Sequence, residues 1–252
     1  MCHYIGTRCV SHDPYRGIRA SSGERKTVSH TADVASTLSA VTRLIVLLSG
    51  LVAACLFSAN AVAHKRPPLQ HVTIFGDSSA AALNWDSQAR AELEKGNRVT
   101  FELQPCGRLT MPGCFSPPPP SVLSEVRTLG RRIGPTVIIL VGYNDDPHVY
   151  LDGINTVLGA MHKRGVKQVL WLTLRTGAHP DQYDATNSVI RGAAHRWPFM
   201  TVVNWAGYSR PHPEWFTDGI HFTGAGAVQF GIYLHRTLRS YGLTGPRNST
   251  AD

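Results

Sequence analysis

A short apolar run ends abruptly in a polar turn at residues 71–78, which read HVTIFGDS. The β-branched residues of this run predict a strand, and the Gly-Asp-Ser that follows predicts a sharp turn at its end. Residues 79–95 are rich in Ala, Leu and Glu and stop at a glycine, which is typical of a helix. A strand followed by a helix is the repeating unit of a parallel sheet covered by helices.

The same alternation continues outward from this stretch. Further strands are predicted at residues 99–103, 136–141, 168–174 and 200–203. Further helices are predicted at residues 121–133, 150–164, 182–196 and 223–241. A proline-rich loop, residues 105–120, follows the second strand. Strands separated by helices in this way predict one α/β domain with a parallel five-stranded sheet covered on both faces.

The composition agrees with one medium-sized globular domain. The chain has 252 residues, of which 42% are hydrophobic, and its formal net charge is +8. Such a charge suits an anionic envelope or nucleic acid, but no run of basic residues is longer than two. We interpret the charge as a source of solubility and mild surface attraction, and predict no nucleic-acid partner.

The first quarter of the chain differs from the rest. Residues 1–40 are polar and carry several basic side chains, and Arg43 introduces an uncharged segment, residues 44–63. The apolar centre of that segment covers residues 44–57, and the segment ends in Ala-Val-Ala. A positive flank, a short apolar centre and an Ala-x-Ala ending are typical of a secretory signal peptide.

Other interpretations of this segment remain open. If it is not cleaved, the segment would act as a signal anchor. Cys55 lies in a loose match to a lipidation site. A translation start near residue 41 would explain why the polar leader is longer than a signal peptide needs. We predict a leader with a signal peptide or anchor at residues 1–63, a folded α/β domain at 64–245 and a polar tail at 246–252. The expected location is the cell envelope or the exterior, with membrane contact only through residues 44–63.

Two cysteines remain beyond the leader. Cys106 and Cys114 lie eight positions apart in the proline-rich loop. Because exported proteins keep disulfides, the pair predicts one that closes a short loop, worth about 2–3 kcal/mol. No histidine lies beside the pair, so the sequence predicts neither a metal site nor a cofactor.

Polar residues follow the predicted strands at the end where reactive groups gather in parallel sheets. Ser78 follows the first strand, Gly107 the second and Asn144 the third, while Asp218 and His221 follow the last. Each has an ordinary alternative, such as a helix cap for the serine or a turn residue for the asparagine. Their occurrence together at successive strand ends favours a site.

These residue types suit nucleophilic catalysis. Ser78 needs a base to take its proton; His221 is the candidate base, and Asp218 would orient its ring. Backbone N–H groups of Ser78 and Gly107, with the side-chain amide of Asn144, are candidate donors to an oxyanion.

In combination, these motifs resemble the SGNH/GDSL hydrolase superfamily. The matching blocks, in the family's order, are GDS at 76–78, Gly107 within CGRLT, GYND at 142–145 and DGIH at 218–221. The first block departs from the family form, because Ser79 stands where leucine is frequent. The resemblance implies a flavodoxin-like three-layer α/β/α sandwich and a metal-free esterase mechanism. It assigns the triad to Ser78, Asp218 and His221.

The substrate is indicated less directly. The aromatic pair Trp215 and Phe216 resembles that of SGNH domains which act on acylated cell-surface carbohydrates, where a flat ring stacks on a sugar. The alternative is that the pair fills the core. Tyr143 and Arg108 are further candidate contacts, the arginine toward an anionic carrier or toward solvent. We expect an exported serine esterase for short acyl esters on envelope carbohydrate or another small ester. An acyltransferase with the same triad and a non-catalytic envelope-binding module are the alternatives.

Overall fold

The computed structural model of the protein describes residues 69–177 and 179–245. The predicted leader, its signal segment and the polar tail lie outside these residues. Within them, no helix has the length and hydropathy to cross a membrane.

Five parallel strands form one sheet. They are β1 Gln70–Gly76, β2 Asn97–Leu103, β3 Thr136–Leu140, β4 Gln168–Leu172 and β5 Met200–Val203. Their order in space is β2-β1-β3-β4-β5, the flavodoxin-like order. Every residue of β3 is buried, as expected for a central strand covered by helices on both faces. The predicted fold class is confirmed.

Six α-helices connect and cover the strands in the described part of the chain. They are α1 Ser87–Glu94, α2 Val122–Leu129, α3 Tyr150–His162, α4 Pro180–Ala194, α5 Trp205–Ser209 and α6 Gly224–Ser240. Three 3₁₀ turns accompany them at Ala81–Asn84, Gly130–Ile133 and Pro213–Trp215.

The helix predicted at residues 79–95 is in fact divided. A 3₁₀ turn, Ala81–Asn84, comes first, and α1 begins only at Ser87. The division occurs because the Asp86 carboxylate accepts the Ala89 N–H at 2.9 Å, which makes Asp86 the cap of a new helix. Helix α5 was not predicted from the sequence; its cap is Asn204, whose side chain accepts the Gly207 N–H at 3.1 Å.

The register of the sheet brings three strand ends to one edge. Gly76 at the end of β1 pairs with Leu103 at the end of β2 and with Leu140 at the end of β3. Because β1 lies between β2 and β3, the chain leaves the sheet in opposite directions on its two sides. This switch point opens a crevice at the carboxyl ends of the strands, where α/β proteins bind ligands.

Helix α6 fixes the segment that follows β5. The Trp215 carbonyl accepts the Thr223 N–H at 2.9 Å, and a methyl group placed on Gly226 would lie 1.9 Å from the same oxygen. Only glycine permits this approach. The loop that contains His221 is therefore held against the first turn of α6, over the edge of the sheet.

One buried carboxyl group makes the stability of the domain depend on pH. Glu125 on α2 is 6% exposed and accepts the Gln104 side-chain amide at 2.7 Å. Burial raises the pKa of Glu125 to about 7, although the hydrogen bond from Gln104 lowers it in part. Because the folded-state pKa exceeds that of the unfolded chain, this group stabilises the fold fully below pH 4.5 and loses that contribution as the pH rises through 7.

We therefore expect Glu125→Gln to flatten this pH dependence. Between pH 4.5 and 8 the wild type should lose up to about 3 kcal/mol of unfolding free energy more than the variant. Urea unfolding at several pH values measures the difference, with Glu94→Gln, a change at an exposed position of α1, as control. Parallel pH curves for wild type and Glu125→Gln would contradict the prediction.

Candidate active site

Three polar side chains from two distant parts of the chain form one hydrogen-bonded line. His221 Nε2 lies 2.9 Å from the Oγ of Ser78, which follows β1 directly. The other ring nitrogen, Nδ1, lies 2.6 Å from Asp218 Oδ2. The distances fit a nucleophile, a base and a group that orients the base.

The Asp218 carboxylate is organised by the loop in which it lies. Its Oδ1 accepts the backbone N–H of Ile220 at 3.1 Å and of His221 at 2.9 Å. Burial works against ionisation, but the hydrogen bonds from the His221 amide and ring and from the Ile220 amide outweigh it and lower the pKa of Asp218 to about 2. The side chain is 53% exposed, so it is an ionised group that water partly screens.

Asp77, which precedes the serine, is the structural centre of the site. It is fully buried, and its Oδ1 accepts both the N–H and the hydroxyl of Ser79, at 3.0 and 2.7 Å. Its Oδ2 accepts the N–H groups of Gly142 and Tyr143, both at 3.1 Å. Burial raises the pKa of Asp77 against the lowering effect of these hydrogen bonds. Asp77 thus ties the end of β1 to the end of β3, a role not assigned to it from the sequence.

The backbone conformation at Gly142 and the closeness of Tyr150 explain why the GYND block begins with a glycine. Gly142 has a φ of 148°, and a methyl group on it would lie 2.7 Å from the Tyr150 hydroxyl. That hydroxyl donates to the Val141 carbonyl. The chain therefore turns sharply after β3 and directs Asn144 toward the crevice.

The three predicted oxyanion donors are not equivalent. In the described part of the chain the Ser78 backbone N–H has no hydrogen-bond partner. Asn144 Nδ2 donates one hydrogen to the Gly107 carbonyl at 3.3 Å and has a second hydrogen available. The Gly107 N–H already donates to the Gln104 carbonyl at 2.8 Å. In this structure Gly107 therefore positions the asparagine and is not a free donor, which departs from its predicted role.

A second contact links the GYND block to the loop after β2. Asp145 Oδ1 accepts the Leu109 N–H at 3.0 Å. Burial raises the pKa of Asp145 to about 6, although this hydrogen bond and the charge of Arg108 lower it in part. The segment from Gly107 to Leu109 is thus held from both Asn144 and Asp145.

Comparisons with solved structures agree with this architecture. The crystal structure of TesA superposes with a TM-score of 0.54 at 19% identity, covering 68% of this chain and 99% of TesA. The psychrotrophic esterase EstA from Pseudoalteromonas sp., in a structure inhibited by monoethylphosphonate, gives 0.52 at 10% identity, covering 69% and 98%. The chain has the SGNH hydrolase fold. No protein-family model and no curated protein sequence matches it.

The predicted disulfide is present in this SGNH fold. Cys106 and Cys114 are bonded, with Cα atoms 5.5 Å apart. Cys106 has a φ of 60°, a left-handed conformation that a non-glycine residue adopts at a cost of about 1–3 kcal/mol. It directly precedes Gly107, so the cross-link constrains the peptide whose carbonyl accepts the Asn144 amide.

We expect loss of this disulfide to weaken both stability and turnover. Cys106→Ser with Cys114→Ser should lower the unfolding free energy by about 2–3 kcal/mol and the melting temperature by several degrees. Misplacement of Asn144 should lower kcat about 5–10-fold, equivalent to about 1 kcal/mol, with less effect on KM.

Reduction with dithiothreitol is the matched control, since it should reproduce the double variant and leave the variant itself unchanged. Unfolding and ester-hydrolysis measurements on the two proteins test the prediction. Two free thiols in freshly exported material, detected by mass spectrometry, would contradict it.

Trp215 belongs to the core and not to a substrate surface. It is 9% exposed, with His212 stacked on its ring at 3.8 Å between centroids and Trp205 near-parallel at 6.4 Å. Because the side chain is buried among aromatic neighbours, its ring is not available to stack on a sugar. The predicted stacking contact is therefore corrected to the alternative interpretation, a plug beneath the His221 loop. Phe216 is 7% exposed and belongs to the same cluster.

Arg175 supports the loop that contains Asp218 and His221. Its Nε donates to the Gly219 carbonyl at 2.8 Å, its Nη1 donates to the Ser209 carbonyl, and its guanidinium lies 4.3 Å above the centre of the Phe216 ring. Gly219 lies between the aspartate and the histidine of the line. The signal in the sequence, an arginine just after a predicted strand, did not distinguish this role from that of a surface charge.

Two of the predicted substrate contacts line one cavity. It has a volume of about 500 Å³, and Arg108, Tyr143 and Asn144 contribute to its wall. Tyr143 donates its hydroxyl to the Arg175 carbonyl at 3.2 Å, so it presents mainly its ring. Across residues 69–177 and 179–245, no group of three or more His, Cys, Asp or Glu side chains is placed to hold a metal ion.

Proposed function

We propose that the chain is an exported serine esterase that hydrolyses short acyl esters, with acylated carbohydrate of the cell envelope as substrate. The observation that carries the proposal is the line Ser78–His221–Asp218, with distances of 2.9 and 2.6 Å, at the switch point of the sheet. The SGNH fold supports it, and EstA, which shares that fold, is itself an esterase.

The geometry supports a two-step acyl transfer to water. Ser78 Oγ attacks the ester carbonyl carbon while its proton passes to His221 Nε2. The negative charge on the former carbonyl oxygen is stabilised by the Ser78 N–H and the Asn144 amide. The intermediate then expels the alcohol, which takes the proton from His221. Water repeats the sequence on the acyl-enzyme, releases the carboxylic acid and restores the serine.

Asp218 contributes by holding the base in its working form. Its ionised carboxylate accepts a hydrogen bond from the Nδ1–H, which leaves Nε2 unprotonated and directed at Ser78. The same carboxylate stabilises the imidazolium that forms during the reaction.

The substrate class follows from the surroundings of the line. The cavity beside Asn144 is lined by charged and polar side chains, such as Arg108 and Asp146, as well as by Met111 and Val149. A long acyl chain needs a broad apolar cleft, whereas the lining of this cavity mixes charged, polar and apolar side chains. These surroundings support a short acyl group on a polar carrier.

Export is part of the proposal and rests on two features. The segment at residues 44–63 has the pattern of a signal peptide. The Cys106–Cys114 disulfide fits an oxidising compartment.

A fluorophosphonate probe tests the proposal directly. The purified protein should hydrolyse p-nitrophenyl acetate and become labelled on Ser78, as located by peptide mass spectrometry. Acetylated saccharides should release acetate in the same preparation. Absence of labelling together with absence of hydrolysis would refute the esterase and favour the non-catalytic module. An acceptor sugar that receives the acyl group faster than water does would identify a transferase.

A further inference from the structure

Three arginines line a second cavity, which adjoins the loop that contains Asp218 and His221. The cavity has a volume of about 430 Å³, and we call it the arginine pocket. Arg175 follows β4, Arg191 lies on α4, and Arg210 caps the end of α5. Side chains from three separate elements thus place positive charge around one space.

Most of this charge is not neutralised by the described part of the protein. The side chains of Arg191 and Arg210 make no hydrogen bond or ion pair with described residues. Arg175 uses Nε and Nη1 for the loop carbonyls and keeps its remaining nitrogen, Nη2. Asp184 contributes the acidic side chain of the lining. The pocket therefore has a surplus of two positive charges.

Neutral donors in the wall suit the same kind of ligand. Asn204 uses its Oδ1 to accept the Gly207 N–H at 3.1 Å, which leaves its amide hydrogens available. Thr176 adds a hydroxyl to the lining. Guanidinium groups and amide donors around a polar space match the oxygen atoms of a carboxylate or a phosphate.

The arginine pocket adjoins the catalytic loop directly. A methyl group on Gly177, which lines the pocket, would lie 2.7 Å from Ile220 Cγ2 and 3.4 Å from the Gly219 carbonyl oxygen. Both of these residues lie between Asp218 and His221. A group bound in the pocket therefore lies beside the loop that carries Asp218 and His221.

We propose that the arginine pocket binds an anionic group, a carboxylate or a phosphate, on the carrier of the acyl ester. The inference rests on the esterase activity proposed above and names the class of its substrate as an anionic acylated saccharide. Arg191 and Arg210 bind the anion, while Arg175 both binds it and holds the loop. Asp184 limits affinity, because its carboxylate opposes the incoming charge.

A matched set of acetylated methyl glucosides tests the proposal. One substrate is neutral, one has a carboxylate at carbon 6 and one has a phosphate there, so the last two distinguish the two anions. Wild type should have a kcat/KM about 10-fold higher for at least one anionic ester than for the neutral one, and NaCl should reduce this ratio.

The variants make the test specific to this pocket. Arg191→Gln with Arg210→Gln should bring the ratio to about 1, while Asp184→Asn should raise it about 2–3-fold. Arg236→Gln with Arg239→Gln, which removes two arginines that line a different cavity, is the matched control and should keep the wild-type ratio. A wild-type ratio near 1, or a ratio that survives in the Arg191/Arg210 variant, would overturn the proposal.

Failure of the esterase itself gives a different result. If no ester is cleaved and no probe labels Ser78, the proposed function fails. Ligand-binding measurements then test separately whether the arginine pocket is an anion site. Inorganic phosphate or methyl glucuronoside should raise the melting temperature of the wild type and of the Arg236/Arg239 variant, but not of the Arg191/Arg210 variant. Equal shifts in all three proteins, or none, would overturn the anion site.

Discussion

Replacement of Ser78 by alanine is expected to abolish hydrolysis of p-nitrophenyl acetate and labelling by a fluorophosphonate. The change removes the Oγ that lies 2.9 Å from His221 Nε2, and with it the atom proposed to form the acyl-enzyme. Loss of a serine nucleophile lowers kcat by about 10⁴–10⁶-fold in hydrolases of this kind of mechanism. Folding should be unaffected, because the Ser78 side chain is only partly buried and, among residues 69–177 and 179–245, hydrogen-bonds to His221 alone.

Ser79→Ala is the matched control for this prediction. The Ser79 hydroxyl is 2% exposed and donates to Asp77 Oδ1 at 2.7 Å, so it faces away from the base. Its removal should cost about 1–2 kcal/mol of unfolding free energy and leave probe labelling intact. Labelling that persists in Ser78→Ala and disappears in Ser79→Ala would reverse the assignment of the nucleophile.

The strand ends were predictable because each strand is a nearly continuous apolar run that ends at a polar turn. The fully buried β3, for example, is followed at once by the GYND block. Strand order was not evident in the residues themselves; it followed from the family resemblance, and the structure confirms it. The break before α1 was missed, since Asp86 within an Ala- and Leu-rich stretch reads as one more helical residue until its cap to Ala89 is known.

The parts of the site that sequence could not supply depend on contacts between distant segments. Asp77 was recognisable as part of a motif, but its hydrogen bonds to Gly142 and Tyr143 join residues 65 and 66 positions apart. The buried state of Trp215 depends likewise on Trp205 and His212, which only the folded chain brings against its ring. Residue types alone could not decide between a stacking surface and a core plug.

Asp218→Asn is expected to lower kcat by about 10³–10⁴-fold without loss of the fold. The asparagine can keep its oxygen in the place of Oδ1, where it accepts the backbone N–H groups of Ile220 and His221. Its amide nitrogen then takes the place of Oδ2, 2.6 Å from Nδ1, and donates to the ring. A ring that accepts at Nδ1 must have its proton on Nε2, so it cannot take the proton of Ser78.

Asp218→Ala distinguishes this effect of the tautomer from simple loss of charge. Alanine removes the carboxylate but leaves the ring free to adopt either tautomer, so it should retain more activity than asparagine. Asp181→Asn, a change of the same type at an exposed position on α4, should leave hydrolysis of p-nitrophenyl acetate near the wild-type rate. Steady-state kinetics, with circular dichroism to verify folding, give the comparison. Near-wild-type turnover in Asp218→Asn would show that the hydrogen bond to Nδ1 does not set the tautomer of His221. The exposed carboxylate would then only accept hydrogen bonds from the amides of Ile220 and His221 and so stabilise the loop.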